Sequence, residues 1–297
     1  MTLQLECDDA VVVVCDGGVE LFRYCFMPST TQLESPKPYL HPVRTRAGRP
    51  VSLFRPWDHV WHTGLAWALP VVGDHNFWGG PSYVRHQGYV QLPNNGAQEH
   101  RAVVEADSGG IVRFVHDLEW LTECGRPLFV ERRALAAHLV DETAWALTFD
   151  TAMTSVAATP LRFGSPTTKG RENAGYGGLF WRGPRSFSGG RFLTRNGAGT
   201  GNEVRGQRHD WMGFVGRHDG ADAMSLILIV DAASNPHHPP QWFARSEEFA
   251  ALNPAPFFSD ELEVHPGETV RFRYAIGIAD DDGGAATRLA EHLQRLL

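Results

Sequence analysis

The run Trp57-Asp58-His59-Val60-Trp61-His62 puts one carboxylate, two imidazoles and two indoles into six residues. Imidazole changes charge near neutral pH, and a carboxylate beside it fixes which ring nitrogen carries the proton. Indole supplies a flat apolar face. Together these groups suit proton transfer on a polar, ring-shaped ligand, or the holding of a metal ion. Asp58 and His62 are four apart and share a face in a strand or a helix. His59 and His62 are three apart, so only a helical turn or a loop brings both to one place. Pro56 and Gly64 bracket the run, which predicts a loop leading into a strand.

A second dense stretch, Asp231-Ala-Ala-Ser-Asn-Pro-His237-His238-Pro-Pro-Gln-Trp242, follows the apolar run Met224–Val230. The end of a buried strand is a place from which side chains project into a cleft. His237 and His238 are neighbours, so extended backbone turns only one of them inward. The reading is a general acid–base site in which His59 or His62 moves protons, Asp58 orients one of them, and His238 faces them. Trp57, Trp61 or Trp242 stacks on the ligand, while Arg44, Asn235 and Tyr176 bond its polar groups. The alternative is a divalent zinc, iron or copper ion held by His59, His62 and His238. No other cofactor is implied.

The elements that must carry these residues read as β throughout. Asp16-Gly17-Gly18 between Val11–Cys15 and Val19–Phe26 is a hairpin signal. Ile111–Leu121, Phe129–Val140 and Trp145–Phe149 are further strands, the second of them ambiguous with a helix by propensity. Met224–Val230 is short and wholly apolar, as a central strand is. Val270, Phe272, Tyr274, Ile276 and Ile278 alternate with Arg271, Arg273, Ala275 and Gly277, one face to the core. Ala285–Leu297 forms a short amphipathic helix. Residues 164–190 are Gly-rich and polar, with Lys169, Arg171, Glu172 and Tyr176 embedded; they predict a long connection, either a solvated loop or a lid. The expected architecture is all-β, a large antiparallel sandwich with a short C-terminal helix, built as one domain over 1–297.

Composition narrows the partners. The chain has 297 residues, a net charge of -7, 9 Trp, 17 Phe and 14 His. An acidic balance without a basic stripe argues against nucleic acid. No apolar run reaches the roughly 18 residues needed to span a bilayer, and no secretory signal is evident, so a cytoplasmic protein is expected. Oligomeric state is not legible. Cys7, Cys15, Cys25 and Cys124 form no C-x-x-C pair and read as buried reduced thiols.

Several motifs, taken in order, carry a resemblance. They are Lys37-Pro-Tyr, Pro42-Val-Arg-Thr, Pro56-Trp-Asp-His-x-x-His-x-Gly-Leu65, Gly175-Tyr-Gly-Gly-Leu-Phe, Ser234-Asn-Pro-x-His-Pro239 and Pro254-Ala-Pro-Phe-Phe. With them the chain, from about residue 37 to 280, resembles the bacterial proteins of unknown function labelled "methane oxygenase PmoA". The membrane subunit behind that label needs transmembrane helices, so the label is a misnomer for a chain of this kind. The family often has a further His after the second motif His, where this chain has Thr63. The resemblance implies a β protein associated with sugar catabolism. At the level of fold the chain is also similar to the galactose mutarotases, whose large supersandwich is the favoured architecture. The function expected is therefore a carbohydrate-active isomerase, lyase or hydrolase. The alternatives are a His-ligated metal enzyme and a non-catalytic sugar-binding protein.

Overall fold

A computed structural model describes residues 2–108 and 111–297. Runs of alternating apolar and polar residues pair into two large sheets. The first has eight strands in the spatial order Leu3–Cys7, Val11–Asp16, Val19–Cys25, Tyr39–Val43, Leu65–Ala68, Gly178–Arg182, Ala251–Ala255, Gln241–Arg245. The second has nine, in the order Gly197–Gly199, Arg191–Thr194, Trp211–Arg217, Met224–Asp231, Thr269–Ala279, Ala144–Ser155, Pro127–Leu139, Val112–Leu121, Ala97–Asp107. Neighbouring strands in both sheets are antiparallel.

The sheets pack face to face through aromatic side chains. Phe22 stacks on Trp145 at 5.5 Å between ring centroids, Trp67 meets Phe272 at 4.9 Å, and Trp181 meets Phe214 at 5.4 Å. Each large ring buried here contributes roughly 1.5–3 kcal/mol of transfer free energy. This is the antiparallel sandwich that the alternation predicts. The C-terminal helix Ala286–Gln294 lies on the outer face of the nine-stranded sheet, where Leu289 and Leu293 are buried. It explains why Arg271 and Arg273 give way to Ala275 and Gly277 along Thr269–Ala279. A Cβ at Gly277 would lie 2.8 Å from Leu289 Cδ2.

One ambiguity is resolved and two expectations are corrected. The segment at 129–140 is the strand Pro127–Leu139, and its helix-like pattern arises because two charges point inward. Arg133 and Glu131 are fully buried, joined by bonds of 2.7 and 2.9 Å. Trp120 Nε1 and Thr151 Oγ1 also donate to Glu131, and Gln98 Oε1 accepts from Arg133. A buried ion pair persists only when its remaining polar atoms are satisfied in this way. Second, the Gly-rich stretch is not one connection. Gly178–Arg182 is a fully buried strand in the middle of the eight-stranded sheet. Third, Cys7 and Cys124 are exposed rather than buried, and all four thiols are free. Among the described residues, no helix is long and apolar enough to cross a membrane.

Candidate functional site

Period-two alternation sends one side of each strand into the sandwich and the other outward. On Gly178–Arg182, Leu179 and Trp181 enter the core, while Phe180 and Arg182 face out. On Gln241–Arg245, Trp242 and Ala244 enter the core, while Phe243 and Arg245 face out. The outward side of this sheet therefore carries an apolar floor, with Phe180, Phe243 and Trp78 in one cluster. Above it lies a cavity of about 570 Å³, walled by the 57–62 segment, the Gly-rich connection and residues 243–249.

The 57–62 segment is a loop, as Pro56 and Gly64 foretell. Its ends are joined by the Phe54–Thr63 bridge and by the Arg55 N–H bond to His62 O at 2.9 Å. Two successive turns close it: His59 N–H donates to Pro56 O and His62 N–H to His59 O, each at 2.9 Å. These turns bring residues three apart onto one side. The His59 and His62 rings stack at 4.7 Å with 11° between planes. Arg55 anchors the loop from outside through a forked pair of bonds to buried Glu34 at 2.8 and 3.0 Å. Trp61 lies against Gly79-Gly80, both at positive φ; a Cβ on Gly80 would sit 2.7 Å from the indole. Lys37 Nζ donates to Glu34 O, Ser35 O and Trp78 O, tying that turn to the cavity wall.

Hydrogen bonding gives the two imidazoles opposite tautomers. Asp58 Oδ2 lies 3.0 Å from His59 Nδ1. A carboxylate only accepts, so His59 carries its proton on Nδ1 and, when neutral, keeps Nε2 as an acceptor. Arg182 NH1 lies 3.1 Å from His62 Nδ1. Guanidinium only donates, so His62 accepts at Nδ1 and carries its proton on Nε2. Burial first, then the charges of His59 and Arg182, hold His62 well below its ordinary value. With Nδ1 accepting and burial opposing a second proton, His62 presents a donor at Nε2. Asp58 also accepts from Arg182 NH2 at 3.0 Å and Arg185 NH2 at 2.9 Å. Burial works against its ionisation, but the bonds from His59 and Arg182 outweigh it and hold the carboxyl well below the usual carboxylate range.

Arg182 is fully buried beneath the pair, its guanidinium 3.7 Å from the Phe249 ring centroid. Among the described residues its Nε has no hydrogen-bond partner. At the rim, Trp57 is 84% exposed with Arg185 over its ring at 5.4 Å. Across the cavity the Tyr176 and Tyr89 hydroxyls meet at 2.9 Å, and Arg171 donates to Tyr89. Burial, then Tyr89, raises Tyr176 well above the usual phenol value.

Of the residues singled out from sequence, Trp57, Asp58, His59, Trp61, His62 and Tyr176 line this cavity. Arg44, Asn235, His238 and Trp242 do not. Trp242 is 0% exposed, on the inward side of its strand, with Nε1 donating to His209 O at 2.9 Å. Asn235 is buried and braces Arg273, accepting from its N–H and donating to its carbonyl. His238 Nδ1 bonds Asp231 Oδ2 at 2.7 Å, and that carboxylate raises the imidazole above its ordinary value. The Arg44 side chain donates to Gly48 O, and its own carbonyl accepts from Trp145. His59 and His62 thus share the cavity while His238 lies outside it, so the three imidazoles are not brought together. Among the described residues no group of three His, Cys, Asp or Glu side chains could hold a metal ion. The late segment that faces 57–62 is 243–249, immediately after Trp242.

Arg182, Arg185, Arg245 and Phe249 were missed in sequence. Arg182 had a signal, a charge closing the apolar run Leu-Phe-Trp. Arg185 and Phe249 lie outside the strands and Arg245 ends the strand Gln241–Arg245, and none of them carries a comparable signal. Eight- and nine-stranded sheets with an aromatic-walled cavity on one outer face define a large β-sandwich with a candidate small-molecule site. The family of unknown function DUF6807 matches residues 10–294, and the chain belongs to it. No curated protein matches the sequence. Three solved structures show a loose likeness. A putative aldose 1-epimerase from Klebsiella pneumoniae has 11% identity and a TM-score of 0.41, over 97% of this chain and 82% of that one. Heparan sulfate lyase HepC from Pedobacter heparinus has 8% identity and a TM-score of 0.40, over 93% of this chain. A GH36 α-galactosidase variant from Geobacillus stearothermophilus has 9% identity and a TM-score of 0.39, over 94% of this chain. The chain spans only 34% of the lyase and 41% of the galactosidase.

Proposed function

We propose that the cavity is the active site of a carbohydrate-active enzyme that works by general acid–base chemistry. The observation that carries this is the pair of stacked imidazoles with opposite tautomers, one backed by Asp58 and the other by Arg182. One ring thereby offers a base at Nε2 and the other a fixed N–H donor. Those are the two groups that proton transfer at a hydroxylated carbon uses: one takes the proton, the other stabilises charge developing on oxygen. The exposed Trp57 and the aromatic floor support a sugar, whose ring has apolar faces and a polar edge. His59 is the acid–base residue in this reading, Asp58 its positioning partner, and His62 the donor. Isomerisation, elimination and hydrolysis all fit these roles.

The test is a panel of hexoses, hexuronates and their glycosides followed by proton NMR, with His59→Asn beside the native protein. Turnover of a panel sugar that falls at least about a hundredfold in the variant, with binding retained, is the expected result. A variant with native turnover overturns the role of His59. Sugars that bind and are never transformed point instead to a binding protein.

A further inference from the structure

The charge of the cavity is not balanced by its own side chains. Three arginines line it, Arg171, Arg185 and Arg245, and Arg182 lies directly behind. Among the described residues two carboxylates line it, Asp58 and Glu248. Asp58 is shared by Arg182 and Arg185, at 3.0 and 2.9 Å. Glu248 takes Arg245 at 2.6 Å. Arg171 pairs with no carboxylate among the described residues; its guanidinium sits 4.5 Å from the Tyr89 ring centroid and donates to the Tyr89 hydroxyl. His62 is held neutral by burial, so it adds no further positive charge. Four guanidinium groups against two carboxylates leave two positive charges, in a chain whose formal net charge is -7.

Such an excess around a partly enclosed, aromatic-walled space makes its potential positive and favours an anion there. Guanidinium is also the side chain whose planar fork of donors matches carboxylate, sulfate and phosphate oxygens. We infer that the cavity takes a sugar bearing a fixed negative charge, a uronate or a phosphate ester, with Arg171 as the group that receives the anion. The inference rests on the sugar reading above and names its substrate class.

Arg171 and Trp57 belong to different walls, the first to the Gly-rich connection and the second to the 57–62 loop. A ligand that stacks on one and is charged toward the other has its orientation fixed before any proton moves.

Titration calorimetry at low salt tests this with D-glucose, D-glucuronate and D-glucose 6-phosphate, the matching galactose series, and acetate and inorganic phosphate as anions without a ring. The anionic sugar binds at least about tenfold tighter than its neutral parent, the effect of one charge-assisted hydrogen bond, and the ratio shrinks as salt rises. Carboxylate and phosphate arms show which anion is preferred. Arg171→Gln narrows the ratio and Arg171→Lys restores part of it. Glu248→Gln leaves Arg245 without its carboxylate and widens the ratio, a gain that misfolding cannot produce. Equal affinity for charged and neutral sugars overturns the inference and leaves the sugar reading intact. Acetate or phosphate binding as tightly as the anionic sugars upholds the anion site and overturns the sugar reading. No binding by any probe in either series overturns the inference.

Discussion

Trp57 offers the sharpest separation of function from folding. Its side chain is 84% exposed, so the fold gains little from it. Among the described residues its one cation–π or ring partner is the Arg185 guanidinium at 5.4 Å, an exposed contact of about 0.5–1 kcal/mol. Trp57→Ala therefore lowers stability by no more than about 1 kcal/mol. Binding is another matter. A ligand ring covering one face of the indole removes about 100 Å² from water, roughly half of what an aromatic side chain buries in full. At ~25 cal/mol per Å² that is about 2.5 kcal/mol, or roughly 70-fold in Kd. Trp57→Phe keeps a flat face and loses only part of this. Calorimetric titration of the tightest-binding panel sugar, beside a urea unfolding curve, measures both quantities on the same samples. A Kd within about threefold of native, with unchanged stability, refutes the stacking role. A loss of stability above about 2 kcal/mol refutes the reading of Trp57 as a residue without a structural task.

Three further outcomes follow from the geometry. Arg182→Gln frees Nδ1 of His62 and removes one of the charges that depress it, so NMR titration shows the ring moving up toward its ordinary range; an unmoved ring means that burial alone holds it neutral. Arg133→Met leaves Glu131 buried without its cation and costs about 3–5 kcal/mol in urea unfolding; a cost under about 1 kcal/mol contradicts the tight pairing of the core network. Burial, then the Arg133 charge, pushes His116 down to about 2 from 6.5. Between those values the unfolded chain binds more protons than the folded one, so stability falls as pH drops below about 6.5. His116→Gln flattens that fall, and an equally steep acid loss in the variant removes His116 as its source.

Period-two alternation at Val270–Ile278, the apolar run Met224–Val230 and the Asp-Gly turn were enough to determine an all-β chain, because strand formation and facing depend on neighbours along the backbone. The crowding of Asp, His and Trp at 57–62 marked one wall of the cavity for the same local reason. Only the tertiary structure could decide what stands opposite that wall. Trp242 and Phe243 are adjacent in sequence and lie on opposite sides of one sheet, so a shift of one residue exchanges core for cavity. Arg133 and Arg182 each interrupt an apolar run and look alike in sequence. One closes a network inside the sandwich and the other underlies the two imidazoles, since Arg133 also reaches Gln98 and Arg182 reaches the 57–62 loop, both distant along the chain. Which ring holds its proton on which nitrogen is likewise a tertiary fact. It depends on Arg182 arriving beside His62 from the middle of a sheet that the Gly-rich pattern concealed.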